Sequence, residues 1–227
     1  TVDAFERRMT ALEGGIASVS CASGMAAITN AFTNILRSGD EIVCSASLYG
    51  GSIDLFRDLE NFGIKTHYVE NNNIEQFEAA TNDNTRLYFA ETIGNPRLDV
   101  TDIKLLSETA HKAGVPLIVD NTVATAYLIK PIEYGADIVV NSTSKYVNGN
   151  SNSISGVITD SGNFKWDSVK YPGMKEYAKF GPYAYTAKLR NGIYRNTGAC
   201  LSPQNAFYNI LGIETLGLRM ERITDNA

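Results

Sequence analysis

Residues 115–121 read V-P-L-I-V-D-N and residues 136–145 read A-D-I-V-V-N-S-T-S-K. Each stretch holds a short apolar run that stops on a polar group, Asp120 in the first and Asn141 in the second. Runs this short, rich in Val and Ile, read as strands, and unbroken apolarity is the mark of strands covered on both faces. Covering both faces takes helices, so the chain is expected to be α/β, with three α/β/α layers and a mostly parallel sheet. In open sheets of this kind ligands collect outside the carboxyl ends of the strands. Asp120, Asn141 and Lys145 fall there.

Five further strands follow from the same reading, for seven in all. They are A-S-V-S-C (17–21), E-I-V-C-S-A (41–46), I-K-T-H-Y-V (64–69), R-L-Y-F-A-E (86–91) and I-S-G-V-I-T (154–159). Helices are expected between them. Ile28, Ala31, Phe32, Ile35 and Leu36 repeat at helical spacing before Gly39, and Ile53, Phe56 and Leu59 do so before Gly63. A short helix is expected from Ile74 to Ala80. Another, carrying Ile103, Leu106 and Ala110, is expected to be capped by Thr101 and stopped by Gly114. After residue 160 the chain turns rich in Tyr, Lys and Gly and loses its period, which reads as a long loop with helical pieces. Helices resume near Tyr185 and at Ser202-Pro203.

The 227 residues suffice for one sizeable core. A net charge of −5 argues against a nucleic-acid or anionic-membrane surface, since both want a basic patch. No apolar run reaches membrane-spanning length. The opening T-V-D-A-F-E-R-R-M-T is polar and helical and shows no signal peptide. Without an initiator Met, the chain is read as starting inside a longer one. Cys21, Cys44 and Cys200 are too widely spaced for a disulfide framework or a zinc site, so a reduced cytoplasm is the expected setting and no metal is expected. The two histidines, His67 and His111, offer little to a zinc site or a Ser-His-Asp triad.

Four strand ends hold polar groups on one rim. Ser23-Gly24-Met25 opens a helix, whose free N–H groups and dipole suit a phosphate. The plainer alternative is an ordinary N-cap. Glu91 ends the fourth strand, with Asn95 just beyond. Asp120 is costly to bury alone and is expected to meet a cation; its alternative is a turn cap. Ser142 and Ser144 flank Lys145 and could share the phosphate, or could simply be a polar strand exit. Lys145, if desolvated, could act as a nucleophile toward an aldehyde. Its alternative is a solvated surface lysine. A phosphate site, a carboxylate and an amine on one rim are together what pyridoxal phosphate needs.

The motifs F-E-R-R-M-T-A-L-E-G-G, S-G-M-A-A-I, S-L-Y-G-G-S, E-T-I-G-N-P, V-D-N-T and N-S-T-S-K-Y extend over most of the chain. On them the chain resembles the Cys/Met-metabolism family of pyridoxal-phosphate enzymes, fold type I, the group around cystathionine γ-synthase and methionine γ-lyase. N-S-I-S-G-V-I-T-D-S-G-N-F-K-W, K-L-R, L-S-P-Q-N-A-F and G-I-E-T-L-G-L-R-M-E-R are similar to its O-acetylhomoserine sulfhydrylase branch. The resemblance implies that Lys145 bonds the cofactor aldehyde and that Asp120 holds the proton on the ring nitrogen. It implies phosphate contacts from Ser23, Gly24, Met25, Ser142 and Ser144. Tyr49 would stack on the ring, or serve as acid or base near the leaving group, its alternative being a core aromatic. Asn95 would lie by the ring's phenolic oxygen, and Glu91 would be structural. Asn150 stands where many relatives have His.

The implied reaction is γ-replacement on O-acetylhomoserine by sulfide or a thiol, giving homocysteine or methionine. The alternatives are a γ-lyase and a cofactor-binding domain without turnover. The family normally has an N-terminal arm and a C-terminal domain. The chain is therefore read as the cofactor-binding large domain over residues 1–227, with 160–227 leading toward the further domain. The implied partners are a small amino-acid substrate and further copies of the chain, as a homo-oligomer (dimer or tetramer).

Overall fold

The computed structural model describes all 227 residues. Seven strands form: β1 (Ala17–Cys21), β2 (Glu41–Ser45), β3 (Lys65–Val69), β4 (Thr85–Glu91), β5 (Leu117–Asp120), β6 (Ile138–Asn141) and β7 (Gly156–Asp160). They build one sheet in the order β1-β7-β6-β5-β4-β2-β3. Only β7 runs against its neighbours, pairing antiparallel with both β1 and β6, while the pairs among β2 to β6 are parallel. The expected mostly parallel sheet is present. β7 starts at Gly156, two residues later than its apolar run suggests.

Strand alternation splits the core in two. Ile42, Cys44, Leu87 and Phe89 face one side; Val43, Tyr88 and Ala90 face the other. The first side is covered by α2 (Gly24–Thr33), α3 (Gly50–Glu60) and α7 (Ala184–Asn191). There Phe32 stacks on Phe56 with centroids 5.4 Å apart and meets the edge of Phe89 at 5.2 Å. The second side is covered by α4 (Ile74–Ala80) and α5 (Ile103–Lys112) through Phe77, Ile103, Leu106 and Ala110. A smaller cluster joins Phe5 and Met9 of α1 (Val2–Glu13) to Val147, Val157 and Ala206 of α9 (Pro203–Glu214). The short helices α6 (Thr125–Leu128) and α8 (Ile193–Thr197) and the longer α10 (Leu216–Asn226) complete the set. No helix is long and apolar enough to cross a membrane.

One local reading changes. Asp102, not Thr101, caps α5: its Oδ1 accepts from the Leu105 amide at 3.0 Å, the three-residue reach of an N-cap. Thr101 instead donates to the Glu91 carbonyl at 2.7 Å. The helices α6 and α8 are too short to show a period in sequence. The segment after residue 160 is a loop with 3₁₀ turns from Pro172 to Tyr183, broken at Gly181, where φ is 56° and ψ −129°.

Register sets the rim. Glu91 stands opposite Asp120, and Asp120 opposite Val140, so the polar ends of β4, β5 and β6 lie level. Because β7 is reversed, its first residue, Gly156, joins them beside the end of β1. A Cβ on Gly156 would overlap the Ser23 carbonyl, so glycine is what lets α2 begin on the sheet.

Candidate functional site

Ser23 starts α2 with extended backbone, and its hydroxyl accepts from the Ala26 amide at 3.0 Å. The first main-chain bond of the helix is Ala27 N–H to the Ser23 carbonyl at 3.0 Å. The amides of Gly24 and Met25 precede it and are the free donors of the helix end. This end lies against the exit of β6: a Cβ on Gly24 would come within 2.5 Å of Ser142 Cβ and 2.8 Å of its Oγ. Ser23, Gly24, Met25 and Ser142 are thus brought together. The Ser142 hydroxyl makes no hydrogen bond within the chain. Ser144 differs, for its hydroxyl donates to the Ser155 carbonyl at 3.0 Å and accepts from the Ser155 amide at 2.8 Å. A hydroxyl has one proton to donate, so Ser142 is the serine with a free donor.

The carboxylate end is joined to this helix end by Thr122. Its hydroxyl donates to Asp120 Oδ1 at 2.5 Å and accepts from the Ser142 amide at 2.8 Å. The Thr122 amide also donates to Asp120 Oδ1, at 2.9 Å. Within the chain, then, Asp120 meets a threonine. The two neutral donors of the V-D-N-T turn hold Oδ1, and Oδ2 has no donor in the chain. Burial pushes the Asp120 carboxyl above its usual range, against the pull of the two Thr122 bonds.

Glu91 brackets the site from β4. Its Oε1 accepts from the Tyr49 amide at 2.6 Å and its Oε2 from the Asn95 amide at 3.0 Å. It is 5% exposed, and burial, followed by the Asp120 charge, pushes it up to about 8. One buried carboxyl thus fixes the backbone of both residues expected beside the ring. Tyr49 itself is 49% exposed, which excludes the core alternative. Its ring leans over Gly51, where a Cβ would lie 2.5 Å from Cε1.

Lys145 follows β6 in a tight turn. Its amide donates to the Ser142 carbonyl at 3.2 Å, and its carbonyl accepts from the Gly149 amide at 2.8 Å. Lys145 is exposed, just beyond the end of β6. The rim as a whole suits pyridoxal phosphate. It offers free amides and a hydroxyl for a phosphate, an acceptor oxygen at Asp120 without a protein donor, an exposed aromatic ring and an exposed amine. The amine's turn begins at the serine that touches the helix end.

Two residues here were not singled out from sequence. Thr122 lay within a quoted motif but offered no chemistry of its own. Glu13 ends α1 and is fully buried under the rim, accepting from Asn141 Nδ2 at 2.7 Å and from Asn121 Nδ2 at 3.3 Å. Burial pushes Glu13 up to about 7, with a further small push from Asp120. A glutamate just before a Gly-Gly pair reads as a helix end, and nothing local signals its burial.

A description of the family named Cys/Met metabolism PLP-dependent enzyme matches residues 1–227. The chain belongs to this family. The family's cofactor is pyridoxal phosphate, in keeping with the rim. The O-acetyl-L-homoserine sulfhydrylase of Leptospira meyeri is 42% identical over 246 residues, and that of Corynebacterium glutamicum 44% over 244. Each alignment covers 100% of this chain and 56% of the relative, so the chain spans little more than half the length of these relatives. Among solved structures, the O-acetylhomoserine sulfhydrylase of Wolinella succinogenes superposes with a TM-score of 0.89 at 38% identity, covering 96% of this chain and 63% of the other. A Campylobacter jejuni structure assigned as an O-acetylhomoserine (thiol)-lyase gives 0.90 at 31% identity, covering 100% of this chain and 59% of the other. It contains N′-pyridoxyl-lysine-5′-monophosphate. These likenesses make the fold that of type I pyridoxal-phosphate enzymes.

Proposed function

We propose that residues 1–227 form the cofactor-binding domain of an enzyme that replaces the acetoxy group of O-acetylhomoserine with sulfide or a thiol. Pyridoxal phosphate would supply the aldehyde that captures the substrate amine and the ring that accepts electrons when the adjacent C–H bond breaks. The residues of the chain take the remaining roles. Gly24 and Met25 N–H with the hydroxyl of Ser142 would hold its phosphate. Asp120 Oδ2 would accept the ring N–H, while Thr122 keeps Oδ1 in place. Tyr49 would pack on the ring and Asn95 would lie near its phenolic oxygen, the backbone of both being set by Glu91.

Lys145 Nζ takes the Cα proton of the substrate and then a Cβ proton. Acetate leaves from Cγ, hydrogen sulfide adds there, and the protons return to carbon, giving homocysteine and acetate. Proton transfer by one positioned group contributes roughly 10²–10⁴ in rate. The observation behind this reading is the unbroken link from Gly24 through Ser142 and Thr122 to Asp120, with Lys145 one turn beyond Ser142. The Leptospira and Corynebacterium relatives support the choice of substrate. We further propose a cytoplasmic homo-oligomer; the three free cysteines, two of them buried, suit a reducing compartment.

The test has two parts. Pyridoxal phosphate is added to the purified chain and visible absorbance is recorded. Acetate release from O-acetylhomoserine is then measured with and without sulfide. Lys145→Ala is expected to abolish both absorbance and turnover. Persistence of both in that variant ends the reading. Release of 2-oxobutyrate without need of sulfide would instead make the reaction an elimination.

A further inference from the structure

Lys145 sits on a helical turn that begins at Ser142 and closes at Gly149. Inside the turn, the Asn148 amide donates to the Thr143 carbonyl at 3.1 Å. The last carbonyls of such a turn have no partner within it. Here Arg219, on the first turns of α10, supplies one. Its Nη1 donates to the Tyr146 carbonyl at 2.6 Å and its Nη2 to the Val147 carbonyl at 3.3 Å. The guanidinium is itself fixed from its own side of the molecule. Nη2 also donates to the Gly212 carbonyl at 2.8 Å, and Nε to Thr215 Oγ1 at 3.0 Å. No carboxylate pairs with Arg219, so its charge is directed at carbonyl oxygens alone.

The fit is steric as well as polar. Gly149 has φ of 71°, a conformation that favours glycine, and a Cβ there would overlap the guanidinium. Gly212 of α9 lies so close that its Cβ would come within 2.5 Å of the Val147 carbonyl. From the same helix, Asn209 Oδ1 accepts from Asn148 Nδ2 at 3.2 Å. The lysine turn is therefore gripped along its outer end by α9 and α10, with Arg219 at the centre.

We propose that Arg219 is a positioning residue for Lys145, fixing the turn so that the ε-amine meets the cofactor aldehyde in one orientation. The inference rests on the reading of Lys145 as the cofactor-binding amine. It predicts that Arg219 acts on how the cofactor is held, not only on whether the chain folds. Lys at this position keeps the charge but replaces the planar fork with a single ammonium, which cannot reach all four acceptors.

The experiment uses the full chain, as wild type, Arg219→Ala and Arg219→Lys. Pyridoxal phosphate is titrated by visible absorbance, and at saturation the visible circular dichroism of the cofactor is recorded beside the far-ultraviolet signal of the fold. Borohydride reduction and peptide mapping then identify the modified lysine. Wild type is expected to be modified at Lys145. Arg219→Ala is expected to bind about tenfold more weakly, through loss of charge-assisted hydrogen bonds. Its visible dichroism should fall while the far-ultraviolet signal stays, and Arg219→Lys should lie between. Unchanged affinity and visible dichroism in Arg219→Ala overturn the proposal. Should that variant lose its far-ultraviolet signal, Arg219→Lys decides: wild-type binding and dichroism in it overturn the proposal, and intermediate values uphold it. A wild-type chain labelled at other lysines overturns the Lys145 reading and this one with it.

Discussion

Thr122 joins the two ends of the site with one hydroxyl, donating to Asp120 and accepting from Ser142. Thr122→Val keeps the shape but leaves the Ser142 amide without its acceptor and Asp120 with one donor fewer. Stability to urea is expected to fall by about 1–3 kcal/mol, the usual cost of a partly buried polar group losing its partner. Cofactor affinity should fall with it; a variant equal to wild type in both measurements would remove Thr122 from the site. Asp120 and Lys145 were legible in sequence because a lone charge at the end of an apolar run is conspicuous. Thr122 was not, since a threonine after V-D-N has many possible partners and only the register of β5 and β6 supplies this one. Ser144 shows the converse. It sits beside Lys145 in sequence, yet its proton goes to Ser155.

At the scale of elements, α2 offers a competition between two effects. Gly24→Ala brings a better helix former, a gain of at most about 1 kcal/mol that is smaller still at the first helical position. Against it stands a methyl placed 2.5 Å from Ser142 Cβ, which the helix end can relieve only by moving off the β6 exit. The overlap wins, so the variant is expected to fold but to bind pyridoxal phosphate at least about tenfold more weakly in an absorbance titration. Ser23→Ala tests the cap alone. It should cost about 1 kcal/mol in thermal or urea unfolding, because the Ala26 amide loses the Ser23 hydroxyl. The period of α2 and its opening Ser-Gly could be read directly from sequence. The cap of α5 could not be settled, for Thr101 and Asp102 are both good capping residues and only geometry shows which one reaches Leu105.

For the molecule as a whole, two predictions follow from burial. Phe32 is fully buried between Phe56 and Phe89, so Phe32→Ala should cost about 3–5 kcal/mol in urea unfolding. The second concerns pH. Burial pushes Glu13 to about 7, Glu91 to about 8 and Asp160 to about 7. Each of these acids stays protonated in the fold over a range where the unfolded chain has already ionised it. The unfolded chain then binds fewer protons, so stability falls as pH rises. The loss begins near the ordinary carboxyl range and is complete above about pH 8. Urea midpoints should therefore be higher at about pH 6 than at about pH 8.5. Glu13→Gln, neutral at every pH and still able to accept from Asn141, should remove about 1–2 kcal/mol of the decline between those two pH values. An undiminished decline in the variant would mean that Glu13 ionises freely in the folded protein.

Sequence alone determined the layers, the seven strands and the rim on which the polar groups lie, because burial on two faces and helical spacing are local patterns that survive in one dimension. It also displayed the lysine and the aspartate. Tertiary structure decided the partners: which serine keeps a free proton, that Asp120 meets a threonine, that Glu13 is buried and that Arg219 of α10 holds the lysine turn. Such pairings join residues far apart in the chain, and hydrogen bonds depend on direction and distance that composition and spacing do not encode.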